Sequence, residues 1–172
     1  MKSRKLTTTL LIAYMLVLSW IVLFKATLTF TYLNVGRSIN LIPFGAMLVL
    51  NGKANYNEII YNVLVFVPLG IFLCMLAKKK SFAHLVVPIV LLSLFYEVVQ
   101  YIFAIGASDI TDLIANSLGG VIGIGVFYVF HKIFKDNVNK VLNTTALVFA
   151  LILAAALGLY ISALLLGALR FQ

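Results

Sequence analysis

The fold is decided by residues 82–131, which read FAHLVVPIVLLSLFYEVVQYIFAIGASDITDLIANSLGGVIGIGVFYVFH. This stretch contains two apolar runs, 82–105 and 109–131, each long enough for a helix that crosses a bilayer core of about 30 Å. The connection Gly106-Ala107-Ser108 is short, so we expect the two helices to be antiparallel neighbours. Carboxylates and amides inside such helices are expensive in hydrocarbon, and they persist there when they are paired, hydrated or functional. We therefore expect the function of the chain at this polar hairpin.

Composition places the chain among integral membrane proteins. Of its 172 residues, 63% are hydrophobic and 10% are charged, and the mean hydropathy is +1.13, whereas soluble domains are about 45–50% apolar. The net charge of +8 does not indicate nucleic-acid binding, because the basic residues lie in small groups between apolar runs. A single cysteine, Cys74, excludes an intrachain disulfide and a multi-cysteine metal site. We expect one all-α membrane domain over residues 1–172, without a cofactor or metal.

Five apolar segments predict five transmembrane helices, near residues 6–24, 58–77, 82–105, 109–131 and 145–169. We expect the first segment to be an uncleaved anchor, because its apolar run is longer than a usual signal-peptide core. Lysines and arginines in the connections set the orientation. With the N-terminus inside, the cytoplasmic side holds Lys2, Arg4, Lys5, Lys78, Lys79, Lys80, Lys132, Lys135 and Lys140. The outer side then holds Lys25, Arg37, Lys53 and Arg170. This asymmetry predicts a cytoplasmic N-terminus.

A short apolar segment separates the first two spans, at residues 41–50. Ten residues are too few to cross a bilayer as a helix. We therefore expect an interfacial or re-entrant segment, with Pro43 in the first turn of a short helix.

Polar side chains from several segments are expected to meet at the outer face of the membrane. Asp109, Asp112 and Asn116 have the spacing i, i+3, i+7 and share one helical stripe, while Glu97 and Gln100 share a stripe on the preceding helix. At 1.5 Å per residue, Glu97 lies roughly 12 Å below the outer end of its span. The candidate binding residues are Arg37, Asn40, Asn62, Glu97, Gln100, Asp109, Asp112 and Asn116. Asp109 is alternatively the N-cap of the fourth helix, and the spacing leaves both roles open.

Glycines follow the polar stripe of the fourth span. Gly119, Gly120 and Gly123 include a G-x-x-x-G spacing, which in membranes lets two helix backbones approach closely. A nucleotide-binding role is excluded because no strand and no soluble βα unit surrounds these glycines. We predict that the three glycines serve helix packing.

Four blocks of this sequence resemble the VanZ-like family. They are Arg37-x-x-Asn40-Leu41-Ile42-Pro43-Phe44, Asn62-Val63-Leu64-Val65-Phe66-Val67-Pro68-Leu69-Gly70, Tyr96-Glu97-Val98-Val99-Gln100, and Asp109-Ile110-Thr111-Asp112-Leu113-Ile114-Ala115-Asn116-Ser117-Leu118-Gly119-Gly120. The resemblance covers about residues 30–130 and implies a multi-pass protein of the bacterial plasma membrane, whose namesake is associated with low-level teicoplanin resistance. Relatives often carry an arginine shortly before the position of Asp109, where this chain has Gly106-Ala107-Ser108, so Arg37 is the expected cation of the cluster.

Three functions remain open from the sequence. The first is a resistance or envelope-maintenance protein that binds a lipid, a lipid-linked cell-wall intermediate or a lipid-tailed glycopeptide, with Arg37 holding a phosphate or carboxylate. The second is an enzyme that acts on a lipid headgroup with Glu97 and Asp112 as acid and base, and the third is a non-catalytic membrane scaffold. We favour the first, non-enzymatic function. A homodimer is compatible with it, because five spans are few for a transporter that acts alone.

Overall fold

The computed structural model describes residues 2–24, 38–44, 49–50, 53–54, 56–77, 81–105 and 108–169. The described residues form five α-helices and four two-residue β-strands. The helices are α1 (Lys2–Phe24), α2 (Asn57–Leu76), α3 (Phe82–Phe103), α4 (Ile110–Phe134) and α5 (Val138–Leu169). The strands are β1 (Ile39–Asn40), β2 (Val49–Leu50), β3 (Lys53–Ala54) and β4 (Ser108–Asp109). A 3₁₀ turn, Lys135–Asn137, separates α4 from α5.

Four stretches of the described chain are long and apolar enough to cross a membrane. They are Arg4–Phe24, Asn57–Leu76, Phe82–Phe103 and Ile110–Leu164. The prediction of a helical protein with segments of membrane-spanning length is confirmed. The last stretch combines α4 and α5, so the count of five spans stays a prediction, as does the cytoplasmic N-terminus. The sequence predicts the last apolar span at residues 145–169, whereas α5 begins earlier, at Val138. The polar residues in its first turns are also helical, and they pack against α1.

The core of the bundle is built on close contact between α2 and α4. A Cβ atom on Gly119 would overlap the carbonyl oxygen of Val63, and a Cβ on Gly123 would overlap that of Val67. On the other side of the contact, a Cβ on Gly70 would overlap the carbonyl oxygen of Gly120. Backbone therefore packs directly on backbone, which only glycine permits at this separation. The packing role of Gly70 is not apparent from the sequence, because its partner in α4 is known only once α2 and α4 are paired.

Helix α1 is attached to the rest of the bundle by polar contacts as well as by Leu18 and Val22. The Tyr14 hydroxyl donates to the carbonyl of Val65 at 2.6 Å, and the hydroxyls of Ser19 and Tyr96 lie 2.9 Å apart. Leu18 and Val22 are buried in the same core as Tyr96. These contacts fix α1 against both α2 and α3.

The two ends of the bundle differ in charge. Helices α1 and α3 end, and α2 and α4 begin, at the same end of the bundle, which we call the acidic end. It contains four of the five acidic residues, Glu58, Glu97, Asp109 and Asp112. At the opposite, basic end, the side chains of Thr7 in α1 and Asn143 in α5 bond to each other in both directions, at 3.0 and 2.9 Å. Residues 147–164 of α5, beyond this contact, are exposed.

Two strand pairs replace the short helix that Pro43 predicts. Strand β1 pairs in parallel with β4, with Ile39 opposite Ser108 and Asn40 opposite Asp109, and β2 pairs antiparallel with β3. Within the described residues 41–44, Pro43 lies in a turn, and Phe44 has a φ of 61°. The helix prediction at Pro43 is therefore wrong there, because the positive φ of Phe44 takes the backbone out of the right-handed helical region directly after Pro43. Its apolar side chains are nevertheless exposed, including Leu41 at 75% and Ile42 at 69%.

The predicted orientation can be tested with two exposed serines, Ser38 at the acidic end and Ser81 at the basic end. We expect an impermeant thiol reagent to label Ser38→Cys in intact cells but not Ser81→Cys, because the basic end is predicted to be cytoplasmic. The native Cys74 is buried and contributes little background. Permeabilised cells provide the control, in which both variants react. Labelling of Ser81→Cys alone in intact cells would reverse the orientation.

Candidate functional site

The predicted site residues meet at the acidic end of the bundle. Strand β1, the last turns of α3 and the first turns of α2 and α4 each contribute side chains there. The described members, which we call the polar cluster, are Asn40, Asn62, Glu97, Gln100, Asp109, Asp112 and Asn116. Arg37, the eighth predicted member, lies outside the described residues.

Of the two roles that its spacing left open for Asp109, the structure shows the helix cap. Its Oδ1 accepts a 2.7 Å hydrogen bond from the backbone N–H of Thr111, so it is the N-cap of α4. Its Oδ2 accepts from the Asn40 side-chain amide at 3.0 Å, and its own backbone N–H donates to Glu97 Oε2 at 2.8 Å. One residue thus ends the α3–α4 connection, starts α4 and joins two other members of the polar cluster.

The segment before Pro43 is fixed to the start of α4. The backbone N–H of Ser108 donates to the Ser38 carbonyl at 3.0 Å, and the N–H of Phe44 donates to the Thr111 hydroxyl at 2.9 Å. The Asn40 side-chain oxygen accepts from the N–H of Ile42 at 3.1 Å, closing a local turn. Thr111 was not among the candidate binding residues predicted from the sequence. Its position between Asp109 and Asp112 was the available signal, but the backbone group that it binds is 67 residues away.

Helix α2 enters the polar cluster through Asn62. Its amide donates to Asp112 Oδ1 at 2.7 Å, across the contact between α2 and α4. Hydrogen bonds to a charged acceptor are roughly twice as strong as neutral ones. Asn62 and Asp112 are both partly exposed, so this pair lies at the accessible side of the polar cluster.

Glu97 occupies the enclosed side of the polar cluster. It is 4% exposed and lies about 9 Å below the end of α3 at Phe103, at 1.5 Å per residue. Its carboxylate is close enough to those of Asp109 and Asp112 for electrostatic repulsion. One oxygen accepts from the backbone N–H of Asp109. The other, Oε1, is buried without a hydrogen-bond partner in the described part of the chain.

Two predicted amide ligands are committed to helix packing. The Gln100 amide donates to the Val22 carbonyl at the end of α1, at 3.0 Å, and the Asn116 amide donates to the Ser93 hydroxyl at 3.0 Å. Their oxygens, Gln100 Oε1 and Asn116 Oδ1, are buried and have no partner among the described residues. The buried side-chain atoms of the polar cluster that lack any partner among the described residues are therefore oxygens, which accept hydrogen bonds.

The arrangement brings together carboxylates and amides. Across the described ranges, no group of three or more His, Cys, Asp or Glu side chains is placed to hold a metal ion. The polar cluster instead offers hydrogen-bond acceptors and negative charge, and apolar side chains of β1 and the following turn stand beside it.

Comparison with known proteins extends over this whole region. The sequence model described as VanZ/LLP1 matches residues 11–132, which include every described member of the polar cluster and the packing glycines of α4. A curated relative, Protein VanZ of Enterococcus faecium, is 40% identical over 127 residues, covering 72% of this chain and 74% of the relative. No solved structure matches the chain. Helix α5 lies outside the matched residues.

Proposed function

Because this chain belongs to the VanZ/LLP1 family, we propose that it is a bacterial plasma-membrane protein that contributes to glycopeptide resistance or to maintenance of the cell envelope. It does so by binding an amphiphile at the polar cluster. The relative named Protein VanZ supports the resistance role, since the family's namesake is associated with low-level resistance to teicoplanin, which carries a lipid tail. The polar cluster supports the binding role.

The observation that carries the proposal is the buried carboxylate of Glu97. Most buried polar groups in proteins are hydrogen-bonded, and a carboxylate inside a membrane span is among the most expensive groups to leave unsatisfied. Glu97 is 4% exposed and has one oxygen without a partner among the described residues. A residue that binds a hydrogen-bond donor needs such an acceptor.

The chemistry of the free atoms favours a ligand that donates hydrogen bonds. Glu97 Oε1 and Gln100 Oε1 are both acceptors. The amides of Asn40 and Asn62 already donate to Asp109 and Asp112. We therefore propose that the carboxylates receive an ammonium or another cationic group of the amphiphile. Arg37 remains our proposed contact for a phosphate or carboxylate of the same ligand.

Exposed apolar side chains beside the polar cluster suit the lipid part of such a ligand. Leu41, Ile42 and Phe44 are 75%, 69% and 51% exposed, although β1 and the bond from Phe44 N–H to Thr111 hold this segment against α4. Apolar residues at an interface bury their surface among acyl chains. An amphiphile can then place its headgroup at the polar cluster while its tail remains in lipid.

The charge of Glu97 is the direct test of this proposal. We expect Glu97→Gln to abolish the teicoplanin resistance that the chain confers on a susceptible bacterial host, returning it to the level of the empty vector. The substitution keeps the size of the side chain and an oxygen for the Asp109 N–H but removes the charge. Resistance is measured as the minimal inhibitory concentration, with immunoblots of the membrane fraction to show that the variant is inserted.

Glu58→Gln provides the matched control, because Glu58 is exposed in the first turn of α2 at the same end of the bundle. We expect it to retain resistance. If Glu97→Gln is fully active, a charge-dependent role is excluded and simple hydrogen bonding remains.

The same strains separate the two other functions. An enzyme that uses Glu97 and Asp112 as acid and base would change the lipid headgroups of its host, which mass spectrometry of lipid extracts detects. A scaffold would lose activity in proportion to lost stability, so an inserted, stable but inactive Glu97→Gln protein contradicts it. A binding protein leaves the lipid composition unchanged and retains its amphiphile on purification.

A further inference from the structure

A second polar cavity lies at the basic end of the bundle, at the junction of α4 and α5. Lys135 ends α4 with a φ of 48°, and the 3₁₀ turn leads into α5 at Val138. The cavity at the junction has a volume of about 470 Å³ and is open to the surroundings, because most of its lining side chains are exposed. The lining residues are Phe134, Asn137, Lys140, Val141, Thr144 and Thr145.

The lining combines hydrogen-bond donors with apolar side chains. Lys140 and Thr144 are four residues apart on one face of α5, and Asn137 lies in the 3₁₀ turn before it, so an ammonium, a hydroxyl and an amide line the cavity. All three groups can donate hydrogen bonds, and the ammonium adds a positive charge. Phe134 and Val141 supply apolar contact. This combination fits a headgroup that is anionic at one side and attached to hydrocarbon at the other.

The surroundings of the cavity are basic. Lys132 and Lys135 end α4, and Arg4 lies one turn before Thr7, whose side chain holds α1 against Asn143 of α5. Between residues 131 and 145 the sequence contains one acidic residue, Asp136. The other four acids lie at the acidic end. The excess of basic residues at this junction therefore attracts anions.

The position of the junction relative to the membrane indicates which anion is available there. The described helices on either side belong to a single apolar stretch, Ile110–Leu164, which the polar turn interrupts, so we place this turn at the surface of the bilayer, where lipid phosphates lie. Basic pockets between transmembrane helices at that level bind anionic lipid headgroups. We propose that the α4–α5 cavity binds the phosphate of an anionic phospholipid such as phosphatidylglycerol, through Lys140, Asn137 and Thr144. This site is separate from the polar cluster and does not depend on the proposed function.

The test uses the full chain in nanodiscs of phosphatidylcholine with a minor fraction of phosphatidylglycerol. After extraction into detergent, the lipid that remains bound is quantified by mass spectrometry. We expect selective retention of phosphatidylglycerol, reduced about fivefold by Lys140→Gln, since one basic side chain near an anionic surface contributes about 1 kcal/mol. Thr144→Val should also reduce retention, although it changes no charge. Lys132→Gln is the matched control, because Lys132 does not line the cavity, and it should retain the lipid.

Three results would overturn the proposal. Equal losses in Lys140→Gln and Lys132→Gln, with no loss in Thr144→Val, would indicate diffuse attraction to the surface. Displacement of the lipid by millimolar glycerol phosphate would indicate a site for a soluble phosphate instead. Loss of lipid together with a lower unfolding temperature in Thr144→Val would trace the effect to folding, so we expect that temperature to be unchanged. Retention of the lipid by Glu97→Gln would show that this site is independent of the polar cluster.

Discussion

Gly123→Ala is expected to destabilise the protein strongly, whereas Gly125→Ala, two residues further along α4, is not. A Cβ on Gly123 overlaps the Val67 carbonyl oxygen and comes within 3.2 Å of Gly70 Cα. Both neighbours are backbone atoms and have no rotamer that moves them away, so α2 and α4 must separate. Overpacking of this kind costs typically about 1–3 kcal/mol, against a gain of up to about 1 kcal/mol for replacing glycine inside a helix.

Gly125 is a well-matched control for this substitution. A Cβ there has no atom within 4 Å, so alanine adds helix propensity without a clash. Thermal unfolding in detergent, followed by circular dichroism, compares the two variants under the same conditions. We expect a lower unfolding temperature for Gly123→Ala and an equal or higher one for Gly125→Ala. Equal temperatures for the two variants would mean that α2 and α4 do not pack as closely as described.

The second large effect is expected from Arg37 and the carboxylates of the polar cluster. The carboxylates of Asp109 and Asp112 are close enough to repel that of Glu97. The sequence places Arg37 directly before Ser38, whose carbonyl is bonded to Ser108. If Arg37 neutralises Asp112, Arg37→Ala leaves that carboxylate without its counter-ion, at a cost below the roughly 3–5 kcal/mol of a fully buried pair, because Asp112 is partly exposed. We expect Asp112→Asn, added to Arg37→Ala, to recover stability. The double variant should still lack resistance, because we propose that Arg37 also holds the ligand.

Thermal unfolding of the single and double variants measures this interaction. The control combines Arg37→Ala with Asp136→Asn, which removes an exposed acid from the basic end and should recover nothing. Strictly additive losses for Arg37 and Asp112 would mean that the two residues do not interact. Arg37 would then be an anchor to lipid headgroups, and the ligand contact that we assign to it would fall.

The sequence alone predicts those features of the fold that depend on one helix or on one short connection. Apolar runs long enough to span a bilayer indicated the helices, and the three-residue connection after residue 105 predicted that α3 and α4 are neighbours. The contact between Asp109 N–H and Glu97 follows from that geometry. Helical spacing also placed Asp112 on the stripe that meets Asn62 of α2.

Contacts between distant backbone groups could not be read from the sequence. The pairing of β1 with β4 involves two-residue strands without a hydrophobic pattern, so local propensity carries no signal for it. Gln100 was predicted as a ligand because of its stripe, but its amide reaches a carbonyl at the end of α1. The sequence prediction places polar residues such as Asn143 in a connection between helices. In the structure, the Asn143 side chain lies in the contact between α5 and α1, where it is hydrogen-bonded to Thr7.

The separation of Asn40 from Asp109 has a consequence for biosynthesis. The two residues are 69 positions apart, and at a translation rate of about 5–20 residues per second the ribosome needs roughly 3–14 s to connect them. Asn62 waits similarly for Asp112, which is 50 residues later. Until then, the nascent chain has the Tyr14 to Val65 bond between its first two helices but no bonds from Asn40 or Asn62 to α4. The contacts of the acidic end are thus completed late. In a chain whose synthesis stalls before Asp109, these two amides lack their α4 partners.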